Sequence, residues 1–155
     1  MSAPEVLAGT RRHAVIVGHA LDGLRSLPDG CVQTCVTSPP YFGLRSYDGG
    51  VLEIGRETSP AEFVEALVTV FREVRRVLAD DGTLWLNLGD SYAANRTYQV
   101  PSTKGGAKHA PAQGNSGAMT VPDGLKAKDL MGIPWRVALA LQADGWWLRS
   151  DIIWS

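Results

Sequence analysis

At 155 residues the chain has the length of one domain and can bury a sizeable core. Its apolar content is that of an ordinary globular protein, and a net charge of −1 counts against a nucleic-acid binder complete in itself, because phosphate contacts need clustered Lys and Arg, though not against a part whose basic surface lies elsewhere. The pair Cys31 and Cys35 lacks the second ligand pair of a zinc site, so the residues read as buried thiols and no metal is expected. No apolar run is long enough to span a bilayer, and Met1 to Thr10 lacks the charged-then-apolar order of a secretory signal. A cytoplasmic protein is expected.

Residues 1–12 form a tail. His13-Ala14-Val15-Ile16-Val17 is a short β-branched run that stops at Gly18, the pattern of a buried strand. Residues 20–27 place apolar side chains at one helical face, and Pro28-Asp29-Gly30 makes a turn. A second strand spans Val32 to Thr37 and is cut off by Ser38-Pro39-Pro40. The spacing predicts a long helix over 60–79. Ser59 caps it, Pro60 suits its first position, and Glu62 completes a Ser-x-x-Glu box.

Phe63, Leu67, Val70, Phe71, Val74 and Leu78 give that helix one buried face, and Arg72, Glu73, Arg75 and Arg76 a solvated one. Asp80-Asp81-Gly82 ends it before a third strand, residues 83–88. Residues 94–128, rich in Gly, Pro, Ser, Thr and Lys, read as a flexible functional loop or a disordered linker. A helix over 133–143 follows, with Pro134 near its start and Gly145 past its end, then a fourth strand over 147–154. Alternating strands and helices are the grammar of an α/β fold with a mostly parallel sheet and flanking helices. A chain that closes on an uncovered strand has the look of a truncated one.

Ligands of such sheets bind beyond the carboxyl ends of the strands, where Thr37-Ser38-Pro39-Pro40-Tyr41 falls. Two prolines in succession stiffen the backbone and press the preceding residue toward extended geometry. Fixed carbonyl acceptors then stand beside the aromatic plate of Tyr41. The plainer alternative is a Pro-Pro turn that closes a strand, with Tyr41 packed for support.

Ser38-Pro39-Pro40-Tyr41, followed by Arg45 and Tyr47, is one of four blocks that set the context. The others are residues 82–92 (Gly82 to Tyr92), 128–136 (Lys128 to Arg136) and 145–154 (Gly145 to Trp154). In this order, and over nearly the whole chain after residue 13, they resemble the permuted (beta-group) amino-DNA methyltransferases of the N4-cytosine/N6-adenine type, whose catalytic half comes first. The resemblance implies that residues 13–155 are the catalytic half of a partial Rossmann-like methyltransferase domain. It further implies S-adenosylmethionine as cofactor, double-stranded DNA as partner, and a target base flipped out of the duplex.

Tyr41 would stack on that base, while the Ser38 hydroxyl and the Pro39 carbonyl accept hydrogen bonds from its exocyclic amine. Pro40 stiffens the segment. Ser before the two prolines leans toward cytosine N4, with adenine N6 the alternative. Methylation at ring carbon, which needs a Pro-Cys nucleophile, is not expected, since neither cysteine follows a proline. Arg45 and Tyr47 are DNA-contact positions or plain loop residues, and Asp90 is a ligand-side residue or a helix cap.

Two features depart from the family. The turn after its first strand carries an acidic residue beside glycine, facing the cofactor's adenosine; here His19 follows Gly18. His19 and Thr37 are the positions assigned to the cofactor. The glycine-rich cofactor turn and the target-recognition region have no counterpart, and no Gly-x-Gly joins a strand to a helix. Weak cofactor binding by this chain alone is therefore expected, with a C-terminal half or partner chain completing the site. Two further possibilities stay open. One is a non-catalytic α/β module that binds a partner and retains the motif; the other is the same chemistry on an RNA or protein amine.

Overall fold

The computed structural model describes residues 3–44, 50, 53–93, 121 and 124–154. Its elements run α1 (Ala3–Leu7), α2 (Ala20–Arg25), β1 (Val32–Thr37), α3 (Pro60–Val77), β2 (Leu78–Leu86) and α4 (Ile133–Ala143). β1 and β2 form a parallel ladder with Thr34 opposite Thr83 and Thr37 opposite Leu86. Parallel neighbours cannot be joined by a tight turn, and α3 is the crossover between them. The architecture is α/β with flanking helices, as expected, around a two-stranded sheet.

α3 is the beam of the molecule. Phe63, Leu67, Val68, Phe71, Val74 and Val77 are buried on it, joined in the core by Phe42, Leu78, Ile133, Val137 and Leu141. Val70 lies beside the stripe and is only half-buried. The Ser59 side chain accepts from the Glu62 backbone N–H at 3.2 Å, as the box predicts. The return half of the box differs. Glu62 accepts from the backbone N–H and the hydroxyl of Thr58, one residue earlier, at 3.0 and 2.6 Å. A hydroxyl at Thr58 offers a second donor in that direction, which the bare amide of Ser59 does not.

The basic face of α3 is not simply solvated. Arg76 donates to the carbonyls of Leu24 and Leu27 at 2.9 and 3.0 Å and pairs with Asp29 and Glu73. Carbonyls at a helix C-terminus lack intrahelical donors, and a guanidinium suits the negative end of the dipole. Arg72 meets the Asp144 carboxylate at 2.6 Å and Arg75 donates to the Asp144 carbonyl, which ties down the end of α4. Gly145 follows with φ +101, and a Cβ there would stand 2.5 Å from an Arg75 nitrogen. The positive φ is what favours glycine at this stop, since the end of the Arg75 side chain can move aside.

Three expectations are corrected. Residues 13–17 are not a strand and lie mostly exposed, Val17 at 93%. Residues 147–154 are likewise outside the sheet, with Trp147, Ile153 and Trp154 exposed. An apolar β-branched run states only that a residue suits a pleated surface; a strand also needs a neighbour to receive its N–H and C=O groups. Neither segment has a ladder partner among the described residues. The third concerns Asp80-Asp81-Gly82, which lies inside β2, where the register between Val32 and Thr34 shifts. The expected loop falls mostly outside the described residues. Four of the five tryptophans (Trp85, Trp135, Trp147 and Trp154) are exposed.

Hydrogen bonding and charge from Arg72 hold the Asp144 carboxyl below its ordinary range. A carboxylate with a depressed folded pKa stabilises the fold fully above the unfolded value, near 3.9, and loses that contribution as pH falls through the folded one. Asp144→Asn should therefore lower the urea midpoint at neutral pH and flatten its decline below about pH 4. An unchanged midpoint and an unchanged acid limb would show that the pair contributes nothing.

Candidate active site

The parallel ladder brings two strand ends together. Asn87 donates its backbone N–H to the Thr37 carbonyl at 2.9 Å, which carries the pairing one bond beyond Leu86. From there the chain after β1 runs through Ser38, Pro39, Pro40 and Tyr41, and the chain after β2 through Asn87, Leu88, Gly89, Asp90 and Ser91. The first segment is anchored by Phe42, 1% exposed, whose ring lies 5.5 Å from that of Phe63 on α3. Gly43 donates to the Gly55 carbonyl at 2.8 Å. Gly55 has φ +97, and a Cβ there would come within 3.1 Å of the Tyr41 carbonyl.

The second segment grips the first. The Ser91 hydroxyl donates to the Phe42 carbonyl at 3.0 Å, and the Asn87 amide donates to the Tyr41 hydroxyl at 3.4 Å. Gly89 lies directly against the Tyr41 ring. Asp90 then locks the second segment to α4: its carboxylate accepts from the N–H groups of Ser91, Gly132 and Ile133 at 2.8 to 3.0 Å. Gly132 is the N-cap of α4 and has no side chain to satisfy that helix start, so the acceptor comes from Asp90. Of the two roles open to Asp90, the structure shows the cap.

Ser38 is exposed and Tyr41 half-buried. Among the described residues, neither the Ser38 hydroxyl nor the Pro39 carbonyl has a protein hydrogen-bond partner. Ser38, Pro39 and Tyr41 thus follow one another just past the carboxyl end of β1, with the Tyr41 ring against Gly89 and Asn87. Thr37 ends β1 beside them.

His19 is the N-cap residue of α2. It lines a cavity of about 450 Å³ with Glu53, Ile54, Arg56 and Glu57, and none of residues 37–41 belongs to that wall. Arg45 and Tyr47 lie outside the described residues. Cys31 and Cys35 are free and half-buried, and burial pushes the Cys35 thiol up. Among the described residues, no group of three or more His, Cys, Asp or Glu could hold a metal ion, and no helix is long and apolar enough to cross a membrane.

S-Adenosylmethionine presents an ammonium, a carboxylate and ribose hydroxyls, and needs acidic and backbone partners near the reacting amine. Among the described residues, those around Tyr41 do not form such a cradle. The Asp90 carboxylate, nearest in sequence to the strand end, is already occupied by three N–H groups. Among the described residues, those around Tyr41 do not fit the whole cofactor.

Gly89, Asn87, Ser91 and Phe42 were not assigned roles from sequence. One signal was available: a helix that starts at Gly132-Ile133-Pro134 has a glycine cap, so its acceptor has to come from another segment. Asp90→Ala should strip three N–H groups of their acceptor, cost about 1–2 kcal/mol as a lost cap, and speed amide exchange at Ser91, Gly132 and Ile133. Exchange unchanged at these three amides would remove Asp90 from the clamp.

The chain is similar to known DNA methylases. The family model described as DNA methylase, of the N6/N4 methyltransferase type, matches residues 32–155. The chain is 54% identical over 139 residues to the Type II methyltransferase M.Cfr9I of Citrobacter freundii, covering 89% of this chain and 44% of that protein. It is 52% identical over 153 residues to M.XycI of Xanthomonas campestris pv. cyanopsidis, covering 98% and 48%. To M.SmaI of Serratia marcescens it is 47% identical over 142 residues, covering 91% and 47%. No solved structure matches the chain. The chain spans about half the length of these curated relatives. With a family match over most of its length and an open-acceptor site at the end of β1, the chain belongs to the amino-DNA methyltransferase family.

Proposed function

We propose that this chain is the catalytic portion of a site-specific DNA methyltransferase of the restriction-modification type, acting on the exocyclic amine of a flipped base. Cytosine N4 is the favoured acceptor and adenine N6 the alternative. The observation that carries the proposal is the pair of open acceptors, Ser38 and Pro39, beside the half-buried ring of Tyr41. The relatives are Type II methyltransferases by name, which supports the same class of activity.

The residues do the following. Tyr41 offers its ring to the extruded base, and stacking offsets part of the few kcal/mol that unstacking costs. The Ser38 hydroxyl and the Pro39 carbonyl accept hydrogen bonds from the two amine protons. Held there, the nitrogen turns its lone pair out of conjugation with the ring. A nitrogen so disposed is a competent nucleophile toward a methyl group, and neither cysteine is required. Positioning and fixed dipoles are the source of the rate.

S-Adenosylmethionine is the methyl donor in this proposal. Its cradle belongs with the part of a methyltransferase that this chain does not span, supplied by a C-terminal half or a partner chain. His19 and Thr37 remain the proposed contributions of this chain to that side. Arg45 and Tyr47 are proposed to meet DNA. The exposed apolar segments 13–17 and 147–154 favour association with further polypeptide, which a non-catalytic partner-binding module would also require.

Transfer from labelled S-adenosylmethionine to mixed duplex DNA, followed by mass spectrometry of the nucleosides, tests the proposal in the complete protein. N4-methylcytosine is the expected product. Tyr41→Ala should lower transfer about 10- to 100-fold, as loss of a stacking contact of about 1–3 kcal/mol implies. Undiminished transfer by Tyr41→Ala would overturn the role given to the ring. Calorimetric titration of the chain alone with S-adenosylmethionine should give little or no heat, and micromolar affinity would show that the cofactor site is already complete.

A further inference from the structure

Tyr41 has a seat, and the depth of that seat is set by one residue. A Cβ built on Gly89 would lie 2.6 Å from Cε2, 3.0 Å from Cδ2 and 3.3 Å from Cζ of the Tyr41 ring. Ordinary carbon contacts are about 3.5–4.0 Å, so ring or backbone would have to shift by on the order of 1 Å. The backbone is poorly able to yield. Asn87 N–H is bonded to the Thr37 carbonyl, Asp90 holds three N–H groups, and Ser91 bonds Phe42 on one side and accepts from Met131 N–H on the other at 2.9 Å. The Tyr41 backbone is held as well, between buried Phe42 and close-packed Gly55. What yields most readily is the ring, whose hydroxyl is held by one 3.4 Å bond from Asn87.

Gly89 does not have a positive φ, so its backbone geometry suits any residue. Glycine is needed there for space and not for conformation. We propose that Gly89 is a positioning residue for the reaction, admitting the Tyr41 ring to the 87–91 backbone in the orientation at which a flipped base stacks on it. Asn87, whose amide meets the Tyr41 hydroxyl, fixes the far end of the same ring. The inference deepens the role proposed for Tyr41 and rests on it.

The test is Gly89→Ala with two readouts. In the chain itself, selectively labelled tyrosine should show the Tyr41 ring resonances displaced while the melting temperature stays within a few degrees. In the complete protein, kcat should fall about 10- to 100-fold with KM for DNA nearly unchanged, since a misplacement of about 1 Å can cost on the order of a hundredfold. Asn87→Ala, which adds no volume, should give a smaller loss of the same kind. In a Tyr41→Ala background, Gly89→Ala should cost nothing further. Unmoved ring resonances, an unchanged kcat, or a full additional loss in that background would each overturn the proposal.

Should Gly89→Ala fail to fold, the double variant with Tyr41→Ala should fold again, because the three nearest atoms to the new methyl all belong to that ring. A double variant that stays unfolded would overturn it. Absence of transfer by the unsubstituted protein would count against the proposed function, while the ring resonances would still decide whether Gly89 sets the position of Tyr41.

Discussion

Because β1 and β2 run parallel, their carboxyl ends emerge side by side, and the site is assembled from whatever follows each strand. An antiparallel pair would have sent those two segments to opposite ends of the sheet. The ladder from Thr34 to Thr37 against Thr83 to Leu86, extended by the bond from Asn87 to Thr37, therefore sets the distance between the Ser38–Tyr41 segment and its support. Everything proposed for the chemistry depends on that register. A slip of β2 by one residue would turn its side chains to the opposite face and withdraw Asn87 and Gly89 from Tyr41.

The parallel pairing in turn depends on α3. A crossover has to be long, and it has to lie on the sheet, which the buried row from Phe63 to Val77 ensures. The same helix carries the arginines that hold its neighbours, Arg76 at the end of α2 and Arg72 with Arg75 at the end of α4. The Arg72 and Arg75 contacts are exposed, so each is individually small, while those of Arg76 to Leu24 and Leu27 are part-buried. Their use is directional: they fasten helix ends whose carbonyls would otherwise go without partners. At its opposite end α4 is fastened by Asp90, so that one helix is clamped to the sheet edge at its start and to α3 at its finish.

Local sequence carried the elements that stabilise themselves locally. β1 and α4 have the bounds that pattern predicts, and α3 ends two residues sooner. Each has its own cap, proline or abrupt stop. The fold class followed from the order of elements, and the site segment from the two prolines beside an aromatic residue. The runs at 13–17 and 147–154 failed for a definite reason. Their composition suits a strand, but pairing is a property of two segments, and no described neighbour offers its edge.

By itself, then, the sequence determined an α/β order, the stiff Ser38-Pro39-Pro40-Tyr41 segment at a strand end, and a family resemblance read from four blocks. These depend on periodicity, on the fixed φ of proline, and on residue identity in order, all of which are local. Only the tertiary structure decided that Asp90 caps α4, that Ser91 holds the Phe42 carbonyl, and that Gly89 is the floor beneath Tyr41. The last two contacts join residues nearly fifty positions apart and the first joins residues more than forty apart. They exist because a parallel ladder and its crossover helix bring those distant segments to the same edge.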